Sequence, residues 1–273
     1  MARPLRIEYP GAIYHLLSRG DRREAIVEDD LDRLLFFDLL GRTCERTGWQ
    51  VHAVILMNNH FHLVVETPRA NLSVGMHWLL ARYTQQFNQL HGVCGHLFAG
   101  RYKALLVDGR KGSYLRRVCD YVHLNPARAE ILRSEAPLES YRWSSYPGYL
   151  KEAKKRPGWL QTERVLAEHG LAPDGACERR EFSRRMEAMR SGANRPDREL
   201  NLIRRGWKLG AEDFLDWILE RVDLQAQEEH PSLERDETEQ GKAMRIIGDE
   251  LKGLGWSAAE LQRRAKMIRA RSL

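Results

Sequence analysis

The sequence predicts an α+β protein with a ferredoxin-like fold, in which an antiparallel sheet carries two helices on one face. Strand-like and helix-like segments follow one another in the order strand, helix, strand, strand, helix, strand through residue 108. Two consecutive asparagines join two of the strands, as in a tight hairpin. Of the 273 residues, 42% are hydrophobic and 30% are charged, so a folded core is expected.

The first four elements follow from short local patterns. Residues 11–20 form a predicted strand that ends in a glycine turn. Residues 29–49 form a predicted helix, because acidic residues precede leucines that recur every four positions. Residues 49–57 are apolar and partly β-branched, which favours a strand, and residues 60–66 form its hairpin partner.

Three longer elements complete the predicted domain. Residues 71–92 form a predicted helix that a glycine closes, and residues 101–108 form a strand. Residues 111–129 begin as a helix that is interrupted at Pro126. An aromatic segment at residues 141–150 is expected to close the domain.

Composition divides the chain into three parts. The predicted sheet lies in residues 1–150, a helical connector in residues 151–200, and a helical accessory region in residues 201–273. In the last part, Ser257 and Glu260 have the spacing of a capping box. The four cysteines are far apart, and neither a membrane span nor a secretion signal is evident, so a cytoplasmic protein is expected.

The charge distribution suggests a polyanionic partner. The net charge is +6, and between residues 69 and 128 nine Lys and Arg side chains stand against two acids, a local net charge of +7. Such a segment is typical of proteins that bind the phosphate backbone of nucleic acids. On charge alone, a solvated basic surface is an equally good interpretation.

The pair His60 and His62 is the first pattern that carries chemistry. Side chains alternate along a strand, so both histidines are expected with Glu66 on the open face of the sheet, and Phe61 on the apolar face. Two imidazoles on one face can bind a divalent cation, and Glu66 is a candidate further ligand. Taken by itself, the pair is better interpreted as two polar residues on an exposed sheet.

A second pattern lies in the third helix. Tyr114, Val118, Tyr121 and Asn125 are spaced by four, three and four residues and so share one helical face. If this helix crosses the open sheet, a tyrosine nucleophile and an amide ligand meet the histidines. Tyr114 is a rival nucleophile, but Val118 occupies the position where the amide would follow. Alternatively, Tyr121 is a core residue and Asn125 only ends the helix.

Three separated motifs together resemble a known family. They are "LMNNHFHLVVETP", "GHLFAGRYKALLV" and "YLRRVCDYVHLNPARA". They are similar to motifs of the single-tyrosine HUH transposases of small bacterial insertion sequences, and most closely to the REP-associated tyrosine transposases. The resemblance covers residues 5–150, and Asn58 stands where the family usually has a proline.

The resemblance implies an activity and a set of site residues. It implies that His60, His62 and Asn125 bind Mg²⁺ or Mn²⁺, and that Tyr121 is the nucleophile. The implied reaction is transposase-type cleavage and strand transfer through a 5′-phosphotyrosine. The implied partner is single-stranded or hairpin DNA. The protein is expected to act as a monomer or a homodimer and to associate with the nucleoid.

Basic side chains near these motifs are candidate DNA contacts, although each also fits a solvated surface: Arg19, Arg22, Arg101, Lys103, Arg116 and Arg117. Two other functions stay open. A non-catalytic nucleic-acid-binding module could use the same sheet, although such modules present aromatic side chains on it. A metal-dependent hydrolase would use water and would need no tyrosine.

Overall fold

A five-stranded sheet holds the residues of interest, and its strands lie in the order β2-β3-β1-β4-β5. The computed structural model describes residues 6–111, 113–133, 135–190, 202–203 and 206–229. The strands are β1 (Ala12–Arg19), β2 (Gln50–Leu56), β3 (His60–Thr67), β4 (Lys103–Val107) and β5 (Lys208–Leu209).

The order of elements through β4 is strand, helix, strand, strand, helix, strand, which confirms the predicted ferredoxin-like core. β1 to β4 pair antiparallel, as predicted, whereas β5 joins β4 in parallel. The helices are α1 (Asp30–Thr47), α2 (Leu72–His91), α3 (Tyr114–His123), α4 (Asn125–Arg128), α5 (Tyr146–Tyr149), α6 (Glu163–Glu168), α7 (Ala176–Arg190) and α8 (Phe214–Glu229).

The two long helices begin and end at identifiable signals in the sequence. The Asp29 carboxylate accepts hydrogen bonds from the backbone N–H groups of Leu31 and Asp32, and the Asp32 side chain completes a capping box at the start of α1. Gly48 after α1 and Gly92 after α2 adopt the left-handed conformation. Glycine takes this conformation without a steric penalty, so each helix stops there.

One face of the sheet is packed by α1 and α2 through aromatic side chains. Phe61 of β3 contacts Phe36 of α1 and Phe98, with ring centroids 5.0 and 6.0 Å apart. Phe36 also meets the ring of Tyr83 in α2 edge-on at 5.4 Å. All four side chains are buried. This is the apolar face that the alternation in β3 predicts.

The opposite face was expected to be open, but α3 covers much of it. Val64 of β3 and Ile55 of β2 lie in one buried cluster with Leu115, Val118 and Val122 of α3. Apolar side chains of α3 therefore cover the middle of the sheet, because their burial stabilises the packed arrangement. A helix crosses this face, which is the condition that the predicted site depends on.

The predicted helical connector also packs against the sheet. Val51 of β2 donates a backbone hydrogen bond to the carbonyl of Trp159 at 3.2 Å and accepts one from Gln161 at 2.8 Å. Phe182 of α7 is buried, and its ring lies 5.1 Å from that of Tyr149. Residues of α6 and α7 thus belong to the same buried core as residues of α3.

The sequence predicts only helix from residue 203 onward, and this is wrong at β5. The backbone N–H groups of Leu106 and Asp108 donate to the carbonyls of Trp207 and Leu209 at 2.9 and 2.8 Å. A two-residue strand is too short to show an alternating pattern, so only its pairing defines it. The helical prediction holds for α8, which follows.

The chain divides into two compact units, Glu8–Leu215 and a second formed by Met1–Ile7 with Asp216–Leu273. The first unit contains the whole sheet. The predicted boundaries at residues 150 and 200 stay predictions.

Some sequence predictions fall on parts of the chain beyond this description. Residues 191–200, the end of the predicted connector, and the capping box of Ser257 and Glu260 lie outside the described residues. Within the described part of the chain, no helix is both long and apolar enough to cross a membrane.

Candidate metal and nucleophile site

The two candidate ligands on β3 lie on the same side of the sheet, as the alternation predicts. β3 pairs with β1 so that Arg19 stands opposite His60 and Leu17 opposite His62. The two imidazole rings lie 5.2 Å apart between centroids. His62 is 5% exposed, whereas His60 is partly exposed. His62 is therefore the inner candidate ligand, and His60 is the outer one.

His60 is oriented by its neighbour in the hairpin turn. Its Nδ1 lies 2.7 Å from Oδ1 of Asn59. An amide oxygen only accepts hydrogen bonds, so Nδ1 carries the proton and Nε2 carries the lone pair. Burial, together with the charge of Arg19, lowers the pKa of His60 to about 4. The ring is therefore neutral at pH 7, which is the form that binds metals.

His62 is held by a third histidine, His15 of β1. Nε2 of His15 lies 2.9 Å from Nδ1 of His62. The ring planes differ by 9° and the centroids are 5.1 Å apart. The distance between the centroids is close to the nitrogen–nitrogen distance plus the two ring radii, so both nitrogens lie on the line that joins the centroids. The two rings therefore lie edge to edge in nearly one plane, rather than one above the other. Burial lowers the pKa of His15 to about 4, so its ring is also neutral at pH 7.

Tyr121 lies against both buried histidines. Its ring meets those of His62 and His15 edge-on, with centroids 5.6 and 5.9 Å apart. The guanidinium carbon of Arg128 lies 5.1 Å from the centre of the tyrosine ring. Tyr121 is 6% exposed. The structure thus brings the candidate nucleophile onto the face that carries the candidate ligands.

Asn125 follows Tyr121 across a break between two helices. α3 ends at His123, and α4 begins at Asn125 with Pro126 in its first turn. Proline is tolerated there because the first N–H groups of a helix have no partner within it. Nδ2 of Asn125 donates to the backbone carbonyl of Tyr121 at 3.3 Å. The amide oxygen is therefore the atom with which Asn125 would bind a cation.

The donor set fits a divalent cation. Imidazole nitrogens and an amide oxygen are ligands that such ions accept, and three donors leave positions for water and phosphate oxygens. In both His60 and His62 the Nδ1 atom is bonded within the protein, as in histidines that bind metal through Nε2. Among the residues that the structure describes, no group of three or more His, Cys, Asp and Glu is arranged to hold a metal. The candidate third ligand is the amide oxygen of Asn125, whose Nδ2 is bonded to the carbonyl of Tyr121.

The hairpin turn between β2 and β3 is fixed by polar contacts. Oδ1 of Asn58 accepts a hydrogen bond from Arg33 at 2.7 Å, and its carbonyl accepts one from the N–H of Ile26 at 2.7 Å. The carbonyl of Asn59 accepts from the N–H of Gly20 at 2.9 Å. These bonds tie the turn to the segment after β1. The turn is therefore held in place with asparagine at the position where the resembling family usually has proline.

Arg19 and Lys103 share the face of the histidines. In the strand register, Arg19 of β1 stands opposite His60. Lys103 of β4 stands opposite Leu17, which in turn stands opposite His62. Adjacent strands lie about 4.8 Å apart, so the Lys103 backbone is about 10 Å from that of His62 along one row. Both basic side chains are exposed at the border of the site.

Arg22 and Arg101 lie in exposed segments that flank β1 and β4. Arg22 is part of a short 3₁₀ turn, Asp21–Arg23, where Arg22 and Arg23 have φ angles of 48° and 67°. Residues other than glycine adopt positive φ angles only at a cost in free energy, so the surrounding contacts hold this turn in a strained conformation. The strained turn follows the strand that carries Arg19.

Arg116 and Arg117 lie at the start of α3, before the residues that reach the site. Nη1 of Arg116 donates to the carbonyl of Glu168 at 3.1 Å, so this side chain ties α3 to α6. The guanidinium carbon of Arg117 lies 5.9 Å from the ring centre of Tyr114. The rival nucleophile Tyr114 therefore contacts an exposed arginine, whereas Tyr121 contacts the histidines.

A comparison with protein families identifies the part of the chain that carries this geometry. Residues 9–125 match the family described as "Transposase IS200 like". This segment is thus similar to IS200-like transposases, and residues 9–125 are called the transposase domain below. The matched segment runs from just before β1 to Asn125, so it contains the candidate nucleophile and all the candidate ligands. The family resemblance inferred from the three motifs is confirmed.

Two solved structures are distantly similar to this chain. A REP-associated tyrosine transposase bound to a REP hairpin is 13% identical, with a TM-score of 0.46, and the match covers 59% of this chain and 92% of that chain. A structure described as a transposase of Deinococcus radiodurans R1 is 19% identical, with a TM-score of 0.30, and the match covers 39% and 87%. No curated protein matches the chain.

Glu66 shares the histidine face of the transposase domain but has a structural role. Its Oε2 accepts a hydrogen bond from Arg164 at 2.7 Å and lies 3.2 Å from Nε2 of His52. Burial raises the pKa of Glu66, but hydrogen bonds from His52 and Arg164 outweigh it and lower the pKa below the ordinary value. Glu66 is four residues from His62, about 13 Å along the strand, so it joins β3 to β2 and α6 rather than joining the ligands.

Two residues of the site, His15 and Arg128, were missed by sequence reasoning. A histidine inside the otherwise apolar strand β1 was the available signal for His15, because such residues are rarely buried without a partner. Its contact with His62 nevertheless depends on the register between β1 and β3. The contact of Arg128 with Tyr121 depends on how α4 turns back after α3, which local patterns do not specify.

Proposed function

We propose that the transposase domain cleaves and rejoins single-stranded DNA through a covalent link to Tyr121. The observation that carries this proposal is the position of the Tyr121 ring, 5.6 Å from the ring of His62 on the sheet face that also bears His60. A nucleophile and metal ligands that are this close can act on one phosphate. The family match supports a transposase, and the three motifs support the tyrosine chemistry.

The proposed step is an in-line displacement at phosphorus. The phenolic oxygen of Tyr121 loses its proton and bonds to phosphorus, while the bond to the 3′ oxygen of the preceding nucleotide breaks and that oxygen takes up a proton. The products are a 5′-phosphotyrosine and a free 3′-OH. The 3′-OH of another strand end can reverse the step, so joining needs no ATP.

His60, His62 and Asn125 are proposed to hold Mg²⁺ or Mn²⁺. When bound, the cation polarises the scissile phosphate and offsets the charge that develops on it. The partly exposed ring of His60 gives access from solvent, and His62 is fixed from behind by His15. The side chain of Asn125 donates a hydrogen bond to the carbonyl of Tyr121, so the distance between this ligand and the nucleophile is held constant.

The proposed substrate is single-stranded DNA beside a REP-like hairpin. Tyr121 is 6% exposed, so the scissile phosphate has to enter a covered face, which a splayed single strand does more readily than a stacked duplex. Arg19 and Lys103 border the histidines and are proposed to hold flanking phosphates. The hairpin preference rests on the motifs, which resemble the REP-associated transposases most closely. Such a reaction suits either a monomer or a homodimer.

Covalent trapping tests the proposal. The full-length protein is incubated with Mn²⁺ and a labelled single-stranded hairpin oligonucleotide, and an SDS-resistant adduct is expected. Tyr121→Phe should lower adduct formation at least about 1,000-fold without weakening DNA binding. Tyr114→Phe, a matched change on the same helix, should leave the adduct intact.

Three other outcomes would each replace the proposal. An adduct that persists in Tyr121→Phe would place the nucleophile elsewhere. Cleavage without any adduct would indicate a hydrolase that uses water. DNA binding without cleavage would indicate a non-catalytic binding module.

A further inference from the structure

His15 occupies a place behind the metal site that no motif describes. It is 4% exposed and lies on β1, where it pairs with Val64 of β3 and so stands diagonally across from His62. Its Nε2 lies 2.9 Å from Nδ1 of His62, and its ring meets Tyr121 edge-on. His15 thus touches both the inner candidate ligand and the candidate nucleophile.

The geometry excludes His15 as a further ligand of the same cation. The two rings are nearly coplanar and edge to edge, so Nε2 of His15 and Nδ1 of His62 face each other. Two nitrogens that face each other across a metal ion would be about 4 Å apart, twice a metal–nitrogen bond of about 2 Å. The observed 2.9 Å accommodates a proton.

A proton between the two rings links their tautomers. A neutral imidazole has one N–H and one acceptor nitrogen. If His62 donates from Nδ1 to Nε2 of His15, the lone pair of His62 is on Nε2, where it can bind a cation. If His15 donates instead, His62 carries its proton on Nε2 and cannot bind through that atom. The tautomer of His15 therefore decides whether His62 can act as a ligand.

We propose that His15 is a positioning residue that accepts the Nδ1 proton of His62 and so places the lone pair of His62 on Nε2, the atom that would bind the cation. The inference rests on the proposed metal site. It assigns to a buried neutral side chain the role that carbonyl or carboxylate partners often have behind metal-binding histidines. The coplanar arrangement also fixes the rotation of the His62 ring.

Metal affinity in the absence of DNA tests the inference on the full-length protein. His15→Leu removes the acceptor and should weaken Mn²⁺ binding about 10- to 100-fold by calorimetry. His15→Gln places an amide oxygen near the position of Nε2 and should restore most of the affinity. His52→Leu is the matched control, since it removes another buried sheet histidine whose partner is Glu66, and should leave Mn²⁺ affinity unchanged.

A spectroscopic readout separates positioning from folding. Long-range ¹H–¹⁵N NMR of the metal-free wild-type protein should show His62 protonated on Nδ1, and this tautomer should be lost in His15→Leu. Wild-type His62 protonated on Nε2 would overturn the inference even if the variant does not fold. Equal Mn²⁺ affinity in folded His15→Leu and wild type would overturn it too.

The failure of the inference and that of the proposed function give different results. A wild-type protein that binds no Mn²⁺ would overturn the metal site itself, and the inference with it. A wild-type protein that binds Mn²⁺ through a His15-dependent His62 but forms no adduct would overturn only the proposed covalent chemistry. An adduct with unchanged metal affinity in His15→Leu would overturn only the role of His15.

Discussion

The two faces of the sheet contact different side chains, although consecutive residues of one strand, β3, lie on both faces. On the first face, Phe61 packs among the aromatic rings of Phe36 and Phe98. On the second face, the next residue, His62, is hydrogen-bonded to His15 and contacts Tyr121. Both side chains are buried, with exposures of 0% and 5%. Alternation along β3 therefore separates the packing of the core from the chemistry of the site.

The difference between the faces lies in what burial requires. Apolar burial is non-directional, so any well-packed ring stabilises the first face. A buried imidazole needs a hydrogen-bond partner at a defined atom, because leaving it without one costs about 1–3 kcal/mol. Substitutions on the first face should therefore change stability, and substitutions on the second should change chemistry.

The largest expected effect is the loss of stability when an aromatic side chain of the first face is truncated. Phe61→Ala removes a fully buried ring and should lower the free energy of unfolding by about 3–5 kcal/mol. Urea denaturation measures this change. Adduct formation per folded molecule should stay at the wild-type level. A loss of less than about 1 kcal/mol would contradict the assignment of this face to stability.

Substitution of the neighbouring residue should give the reverse result. His62→Ala removes the inner ligand and should slow adduct formation at least about 100-fold in the same Mn²⁺ concentration. Its effect on the free energy of unfolding should be smaller than that of Phe61→Ala. Single-turnover trapping with labelled DNA measures the rate. A rate equal to that of the wild type would show that His62 is not a ligand.

A third test concerns a buried histidine of α3 that has no place in the site. Nε2 of His123 lies 3.0 Å from Oγ of Ser145, and its Nδ1 has no hydrogen-bond partner among the described residues. Burial, with a smaller contribution from the nearby His169, lowers the pKa of His123 from its ordinary value to about 3. The unfolded chain therefore binds a proton more readily than the folded one.

The stability that His123 contributes is present above pH 6.5 and is lost as the pH falls towards 3. Between pH 7 and pH 5 this loss should amount to about 2 kcal/mol of unfolding free energy. His123→Leu should remove that part of the pH dependence, as measured by urea denaturation at each pH. Parallel curves for wild type and variant would argue against a neutral buried His123.

The smallest expected effect sharpens the boundary of the site. Glu66 shares the histidine face but is bonded to His52 and Arg164, so Glu66→Gln should change adduct formation by no more than about twofold. Because the pKa of Glu66 is lowered in the folded protein, its contribution to stability is present above its unfolded pKa and is lost on acidification. A loss of metal affinity in Glu66→Gln would move this carboxylate into the ligand set.

Sequence patterns predicted the main elements of the core because these patterns are local. The capping acids before α1, the glycines after α1 and α2 and the alternation in β3 act within a few residues. β5 was missed because two residues show no periodicity. The crossing of α3 over the histidine face could be stated only as a condition, because α3 and β3 are far apart in the sequence.

The sequence by itself determined that His60 and His62 share one face of a strand and that Tyr121 and Asn125 follow at helical spacing. Only the tertiary structure decided that Tyr121 meets His62, and that His15 and Arg128 join them. The physical reason is the range of the forces that act. Backbone geometry sets a periodicity within one element, whereas the register of β1 on β3 and the crossing of α3 depend on burial summed over the whole core.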